Sequence, residues 1–206
     1  MKFRDYSPAL TYGAKIYPED LAGMIGLPSV GNIWYVDSGK SVSGGGTSRA
    51  DAFKTVAEAY AAMTADQDDV CVIASSSSTG RTSESAAITW AKRRTHIVGN
   101  GPLRKMNPRN GMGFGSSVVA PCFTVSATNC SFTNISIAQF NDVNVLVNVT
   151  ADYNTFDHVH FQGIGNATTG DDTAGRCLVL TSAGETIVKN STIGLDTVAR
   201  SVANAS

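Results

Sequence analysis

A short strand-like unit recurs three times between residues 122 and 193, and it limits strongly what this chain can fold into. Each copy is six residues long, with apolar residues at the first and last positions and polar residues at the second, third and fifth. The copies occupy residues 132–137, 156–161 and 188–193, and further apolar runs precede them at 122–125, 145–149 and 177–180. The repeating object is therefore predicted to be a pair of short strands joined by a small polar turn.

The length of this unit favours a solenoid. The first two copies begin at Phe132 and Phe156, 24 residues apart, and self-similarity at about 20 to 50 residues is typical of solenoids. Each unit is too short to bury its own apolar face, so it must stack on a neighbour, and strand-sized units stack as the rungs of a parallel β-helix. We predict an all-β chain with rungs over about residues 69–198 and one core that includes Phe132, Ile135, Ile137, Val159, Phe161 and Ile193.

Residues 1–32 differ from the rest of the chain, because prolines and glycines interrupt their apolar patches and prevent a long helix or strand. The patches are too apolar for a solvated tail, so we expect an arm that docks on another subunit or folds back on its own. The residues expected to dock are Phe3, Tyr6, Tyr12, Ile16, Tyr17 and Leu27. The β-helix domain is then predicted over residues 33–206.

The start of this domain combines a strand and a helix. Residues 33–37 are strong β formers, and a run of glycines follows at 44–46. Ser48 with Asp51 resembles a capping box, and apolar residues then recur at helical spacing. We predict a helix over about 49–64 that caps one end of the solenoid. A basic loop at 103–115 and an insertion at 163–176 are predicted to leave the strand pattern.

Composition excludes several classes of partner. The net charge of −1 gives no general attraction to nucleic acid or to an anionic membrane, and no apolar run is long enough to span a bilayer. The N-terminus lacks the apolar centre of a signal peptide, so we expect synthesis in a reducing cytoplasm. The four cysteines, Cys71, Cys122, Cys130 and Cys177, form no CxxC pair. All but Cys130 lie in apolar runs, which predicts buried free thiols, with a disulfide or metal role as the alternative.

Chemically useful side chains are few in the sequence. Asp157, His158 and His160 share one predicted strand, with Asp152 before it and Arg176 near the next rung. Alternation places the two histidines on one face and Asp157 on the other. Two imidazoles suit a metal, but no third ligand follows from the pattern, and the stacked positions also suit a polar ladder.

Acidic residues give no clearer catalytic site. The pair Asp171 and Asp172 in the insertion offers oxygen ligands for calcium or is simply solvated. A glycosidase needs two carboxylates about 5 to 9.5 Å apart on one groove, and no such pair recurs on adjacent rungs. We therefore predict no catalytic, cofactor-binding or metal-binding residue.

The region around residues 33–74 carries an ordered set of motifs, Trp34-Tyr-Val-Asp37, Gly44-Gly-Gly-Thr-Ser48, Ala52-Phe-Lys-Thr-Val56 and Asp69-Val-Cys-Val-Ile73. This order resembles the entrance of right-handed parallel β-helix proteins of the pectate-lyase-like superfamily, in which a glycine commonly stands where this chain has Asp68. The resemblance implies a right-handed single-stranded parallel β-helix with an N-terminal cap helix.

A short arm joined to this entrance is similar to structural proteins of tailed bacteriophage particles. The resemblance implies a non-enzymatic virion protein, either a capsid decoration or cement protein or part of a head or tail fibre or spike. It also implies a homotrimer, assembly in the host cytoplasm, and contact with the major capsid protein or with tail or portal components. The alternative is a tailspike-type polysaccharide depolymerase or a carbohydrate-binding receptor protein that contacts host surface glycan. We expect a partner or further chain to cover the solenoid end near Ser206.

Overall fold

A computed structural model of the chain describes residues 31–74, 80–103, 110–115, 118, 120–140, 144–164 and 175–194. These residues form fifteen β-strands and one α-helix. The helix, α1, spans Val56–Ala62, and the strands are β1 (Ile33–Val36), β2 (Asp69–Ile73), β3 (Arg81–Glu84), β4 (Ile88–Trp90), β5 (Thr95–Gly99), β6 (Gly111–Phe114), β7 (Phe123–Val125), β8 (Ser131–Thr133), β9 (Ser136–Gln139), β10 (Val145–Val149), β11 (Thr155–Asp157), β12 (His160–Ile164), β13 (Arg176–Leu180), β14 (Ile187–Lys189) and β15 (Thr192–Ile193).

The strands form three sheets in which neighbouring strands are parallel. Sheet 1 has the spatial order β1, β2, β5, β8, β11, β14; sheet 2 has β3, β6, β9, β12, β15; sheet 3 has β4, β7, β10, β13. From β2 to β15 the chain thus visits sheets 1, 2 and 3 in turn. The chain is mostly β, as predicted, and its three parallel sheets are compatible with a β-helix.

Each repeat contains three strands, so the predicted pair was incomplete. The six-residue unit that begins at Phe132 is split between β8 and β9. The break falls at Asn134, and the equivalent residues His158 and Asn190 break the other two units. These three residues have φ of 55°, 54° and 51°, a left-handed conformation that asparagine tolerates better than most residues. The third position of the unit is therefore polar because it forms the corner between sheets 1 and 2.

The inward side chains stack in columns that run from strand to strand. Ile97, Phe132 and Phe156 follow one another in sheet 1, and the rings of Phe132 and Phe156 stack with centroids 4.8 Å apart. The predicted core is confirmed for the fully buried residues Phe132, Ile135, Ile137, Val159 and Phe161.

The prediction for Ile193 was wrong. It aligns with the buried Phe161, but it is 57% exposed, and Leu180 at the end of sheet 3 is 51% exposed. Both residues lie on the last strand of their sheet, so no later strand within the described residues packs on them.

The predicted loop at 103–115 contains a strand, β6, at its end. A Cβ on Gly111 would lie 2.0 Å from the carbonyl oxygen of Ser136, the paired residue on β9. Glycine is therefore required because two backbones approach closely, although glycine normally argues against a strand. The prediction of an irregular loop was wrong at 111–114 for this reason.

The helix begins later than the predicted residue 49. Thr55 is the N-cap, and it forms a reciprocal capping box with Glu58. Residues before Thr55 instead lie along β1. The main-chain N–H of Tyr35 donates to the carbonyl oxygen of Gly46, and the carbonyl oxygen of Tyr35 accepts the N–H of Phe53. The proposed box at Ser48 is a tight turn, so the helical spacing was extended too far towards the N-terminus.

Two oppositely charged side chains hold the ends of α1 on the sheets. Glu84 accepts hydrogen bonds from the main-chain N–H groups of Val56 at 2.9 Å and Ala57 at 3.3 Å. At the other end, the Lys92 ammonium donates to the carbonyl oxygens of Tyr60 and Met63 at 2.7 and 2.6 Å. The negative group meets the positive end of the helix dipole and the positive group meets the negative end.

Asp69 joins the first strand, the end of the helix region and β2. Its side chain is fully buried. One carboxylate oxygen accepts the N–H of Asn32 at 2.6 Å, and the other accepts the N–H of Thr64 at 2.8 Å and the indole N–H of Trp34 at 3.3 Å. Three donors from two other segments, the start of β1 and the residues after α1, therefore replace the water that this carboxylate loses on burial.

We predict that Phe161→Ala lowers the free energy of unfolding by about 3 to 5 kcal/mol, because it opens a cavity in a buried column. Ile193→Ala in the same column should cost less than about 1 kcal/mol, because Ile193 is largely exposed. Urea unfolding of the two variants measures the difference. Equal losses would show that the column does not pack as described.

We predict that Glu84→Gln lowers the free energy of unfolding by about 1 to 3 kcal/mol, because the amide NH₂ would face a main-chain N–H of α1. Glu58→Gln is the matched control, since the main-chain N–H groups of Lys54 and Thr55 both bond one carboxylate oxygen, which a single amide oxygen can replace. Chemical denaturation followed by circular dichroism compares them. If the two substitutions cost the same, Glu84 does not hold the helix.

Candidate functional site

The residues expected to dock on a partner lie outside the part of the chain that the structure describes. They are Phe3, Tyr6, Tyr12, Ile16, Tyr17 and Leu27. The docking role and the domain boundary at residue 32 therefore stay predictions. The acidic pair Asp171 and Asp172 also lies outside the described residues.

Asp157 and His158 lie together at the corner between sheets 1 and 2. The Asp157 carboxylate is 2.8 Å from His158 Nδ1, and it also accepts the amide N–H of Asn190 at 3.0 Å. Alternation had placed Asp157 and His158 on opposite faces, and this was wrong because the left-handed corner at His158 interrupts the strand. Burial works to raise the pKa of Asp157, but its hydrogen bonds and the nearby Lys189 charge together lower it.

His160 begins β12, directly after the corner at His158. Its Nε2 is 3.1 Å from the carbonyl oxygen of Gly194, which can only accept, so Nε2 carries hydrogen. Its Nδ1 is 3.3 Å from the side-chain amide nitrogen of Gln162 and accepts from it. Both ring nitrogens thus have partners on the protein, which agrees with a ladder residue.

The remaining members of the predicted constellation are dispersed. Asp152 accepts the N–H of Gly184 at 2.6 Å in a turn before β11, and Arg176 begins β13 in sheet 3. Within the described ranges, no three His, Cys, Asp or Glu side chains come close enough together to hold a metal ion. In those same ranges no helix is long and apolar enough to cross a membrane.

The cysteine prediction is confirmed, because Cys71, Cys122 and Cys177 are buried and unpaired. Cys130, which lies in no apolar run, is also buried and unpaired. Burial raises the pKa of the Cys122 thiol to about 12 and raises that of Cys71 further above its ordinary value. These thiols are packing groups rather than nucleophiles.

The structure brings together a polar cluster that sequence reasoning missed, on the outer face of sheet 1. His96 Nδ1 lies 2.7 Å from the Ser131 hydroxyl oxygen, and His96 Nε2 lies 3.4 Å from a carboxylate oxygen of Asp68. The guanidinium of Arg94 donates to both oxygens of Asp68, from Nε at 3.1 Å and from Nη2. We call these four residues the His96 cluster.

Charge in the His96 cluster is set by Arg94. Its hydrogen bonds to Asp68 lower the pKa of that carboxyl group, so Asp68 is ionised at neutral pH. Desolvation lowers the pKa of His96 and outweighs the opposing effect of Asp68. His96 is therefore neutral at pH 7.

The ionised carboxylate also decides which nitrogen of His96 carries the hydrogen. Asp68 can only accept, so the imidazole hydrogen belongs on Nε2. The lone pair of Nδ1 then faces the Ser131 hydroxyl, which must donate to it. This is the arrangement of a serine with an adjacent base and a carboxylate behind the base.

No local sequence pattern could have revealed this cluster. Asp68 immediately precedes β2, His96 lies on β5 and Ser131 lies on β8, and the three residues are separated by 28 and 35 positions. Their juxtaposition follows only from strand register, in which His96 pairs with Ser131. The sequence signal that could have predicted this pairing is the alignment of residues 95–99 with residues 131–133.

We predict that His158→Asn keeps the melting temperature within about 2 °C of the parent, because asparagine already occupies the equivalent corners 134 and 190. His158→Ile should cost about 1 to 2 kcal/mol, since a β-branched residue is strained at positive φ. Thermal unfolding of both variants is the measurement. An isoleucine variant as stable as the asparagine variant would contradict the left-handed corner.

Comparison with known proteins found no matching protein-family model, no similar curated protein and no similar solved structure.

Proposed function

We propose that this chain is a right-handed single-stranded parallel β-helix that serves as a structural protein of a tailed bacteriophage particle. The observation that carries the β-helix proposal is the cyclic use of three parallel sheets from β2 to β15. A chain that visits the same three sheets in turn, with strands in register, builds a long rigid body from short repeats. Such a body suits an exposed particle component.

The entrance motifs support the resemblance because their residues form stabilising contacts around β1 and α1. Trp34 donates to Asp69, and Gly46 has φ of 75° against the Phe53 ring. Thr55 caps α1. Asp68, where the resembled family commonly has glycine, has φ of 57°, a conformation that glycine favours.

The described carboxylates give little support to polysaccharide cleavage. Asp69 and Glu84 are buried beneath the entrance, and each is held by hydrogen-bond donors of the protein. Asp157 is held by Asn190 and His158 at a corner. A depolymerase needs two carboxylates free to act on one groove, so a non-enzymatic role is the better proposal, and cleavage or binding of host glycan is the alternative.

We place attachment in the arm, residues 1–32, and association in a homotrimer. The apolar side chains of the arm are each worth about 1.5 to 3 kcal/mol when removed from water, so several together can anchor a subunit. The partners would be copies of this chain and the major capsid protein or tail or portal components, in a particle assembled in the host cytoplasm. Capsid decoration and a fibre or spike both remain within this proposal.

We predict that deletion of residues 1–31 leaves a folded, β-rich body that no longer enters particles. Circular dichroism and melting temperature, compared with those of the full chain, establish that the body is intact. Copy number in purified particles is the readout, and electron microscopy of parental particles locates the protein. Incorporation of the truncated chain at the parental copy number would contradict attachment through the arm.

The enzymatic alternative is tested separately. The purified full chain is incubated with capsular and pectic polysaccharide, and reducing and unsaturated ends are measured against a boiled sample. We expect no release above the boiled control. Release of either product would favour the depolymerase over the non-enzymatic role.

A further inference from the structure

We propose that Ser131 is a nucleophile for acyl transfer from small carboxylic esters, with His96 as its general base and Asp68 as the residue that positions His96. This activity goes beyond the structural role proposed above and does not depend on it. The proposal rests on the geometry of the His96 cluster, in which Ser131 and His96 pair on the neighbouring strands β8 and β5, and the carboxylate of Asp68, just before β2, lies on the other side of the imidazole.

The first step of the argument is the direction of the hydrogen bond between Ser131 and His96. Arg94 keeps Asp68 ionised, and Asp68 fixes the hydrogen of His96 on Nε2. The lone pair of Nδ1 therefore points at the Ser131 hydroxyl group, whose oxygen is 2.7 Å away. That distance is short enough for proton transfer as the oxygen attacks a substrate. The ionised carboxylate excludes the reverse arrangement, in which the imidazole donates to the hydroxyl group, so Nδ1 is the acceptor that a general base requires.

The second step concerns access to Ser131. The side chain of His96 is 16% exposed and that of Asp68 is 9% exposed, whereas Ser131 is half-buried at the start of β8. Its outward neighbours are Thr155 on β11 and Thr133 two residues along β8, both half-buried. These short side chains flank the hydroxyl group on the outer face of sheet 1.

The residues that flank Ser131 indicate the class of substrate. Two threonines offer little apolar surface to a long acyl chain, so an acetyl or similarly small acyl group is the best fit. Because β8 lies between β5 and β11, its main-chain N–H groups are engaged in the sheet and are poorly placed as oxyanion donors. We therefore expect slow turnover and choose activated esters as probes.

The reaction has two steps. Ser131 Oγ attacks the carbonyl carbon while His96 Nδ1 takes the hydroxyl proton; the bond from the carbonyl carbon to the alcohol oxygen then breaks, and His96 returns the proton to the departing alcohol. A water molecule next attacks the acyl-serine ester, giving its proton to His96. The bond to Ser131 Oγ breaks, the carboxylic acid leaves, and His96 reprotonates Ser131.

The primary experiment uses the full chain, p-nitrophenyl acetate as substrate and a fluorophosphonate as a label for activated serines. We expect p-nitrophenol release above the buffer rate and a labelled peptide that contains Ser131. Ser131→Ala should abolish the label and return hydrolysis to the background, and His96→Gln should slow hydrolysis by about 10²-fold or to background. Ser83→Ala is the matched control, an outward serine on a sheet 2 strand, and should change nothing.

Asp68 acts through His96, so its test needs a pH profile. The charged groups that face His96 are Asp68 and Arg94. In the parent the rate should rise with pH and reach half of its plateau below 6.5, because the pKa of His96 is lowered from that value. Asp68→Asn removes an interaction that raises this pKa, so the midpoint should move to lower pH while the plateau rate falls.

The rates of the variants are compared only for protein that is folded. Circular dichroism and melting temperature accompany every rate, and Ser131→Ala and Ser83→Ala, which each remove one outward hydroxyl group, should melt within about 2 °C of the parent. Equal hydrolysis by the parent and Ser131→Ala would overturn the proposal, as would fluorophosphonate labelling that avoids Ser131. A parental rate equal to buffer would show that the His96 cluster is structural only. None of these outcomes bears on incorporation of the chain into particles.

Discussion

In-register stacking of strands from consecutive repeats is the interaction on which the rest of the structure depends. Phe132 on β8 pairs with Ile97 on β5 and with Phe156 on β11, so each strand obtains its backbone partners from repeats on both sides. The short strands could not bury their apolar side chains alone, and the columns form only if every corner keeps the same length. The left-handed residues Asn134 and His158 hold that length constant where the chain turns between sheets.

The two ends of the described structure differ in how completely their apolar residues are covered. At the first end, residues 44–53 cover the edge of β1, and α1 lies on the core with its termini bound by Glu84 and Lys92. At the other end, Leu180 and Ile193 continue buried columns but remain more than half exposed. Apolar burial stabilises by about 25 cal/mol per Å², so an inward residue contributes fully only when a neighbour covers it from both sides.

The sequence predicted those features that repeat or that use ordinary residue preferences. Period and apolar spacing located β8, β11 and β14, and the buried cysteines followed from their apolar runs. Two of the failures, at β6 and at the start of α1, share a physical cause, which is dependence on a distant part of the chain. Gly111 belongs to a strand because Ser136 approaches it, and the helix begins at Thr55 because the preceding residues pair with β1. The His96 cluster likewise depends on register.

The strand register that builds the core also places His96 and His160 beside different hydrogen-bonding groups. His160 donates to the Gly194 carbonyl and accepts from the Gln162 amide, so its ring nitrogens are occupied by groups that do not react. His96 is held from one side by an ionised carboxylate and directs its remaining lone pair at a hydroxyl group. The ladder role of His160 and the proposed general-base role of His96 therefore follow from the groups that strand register places beside each imidazole.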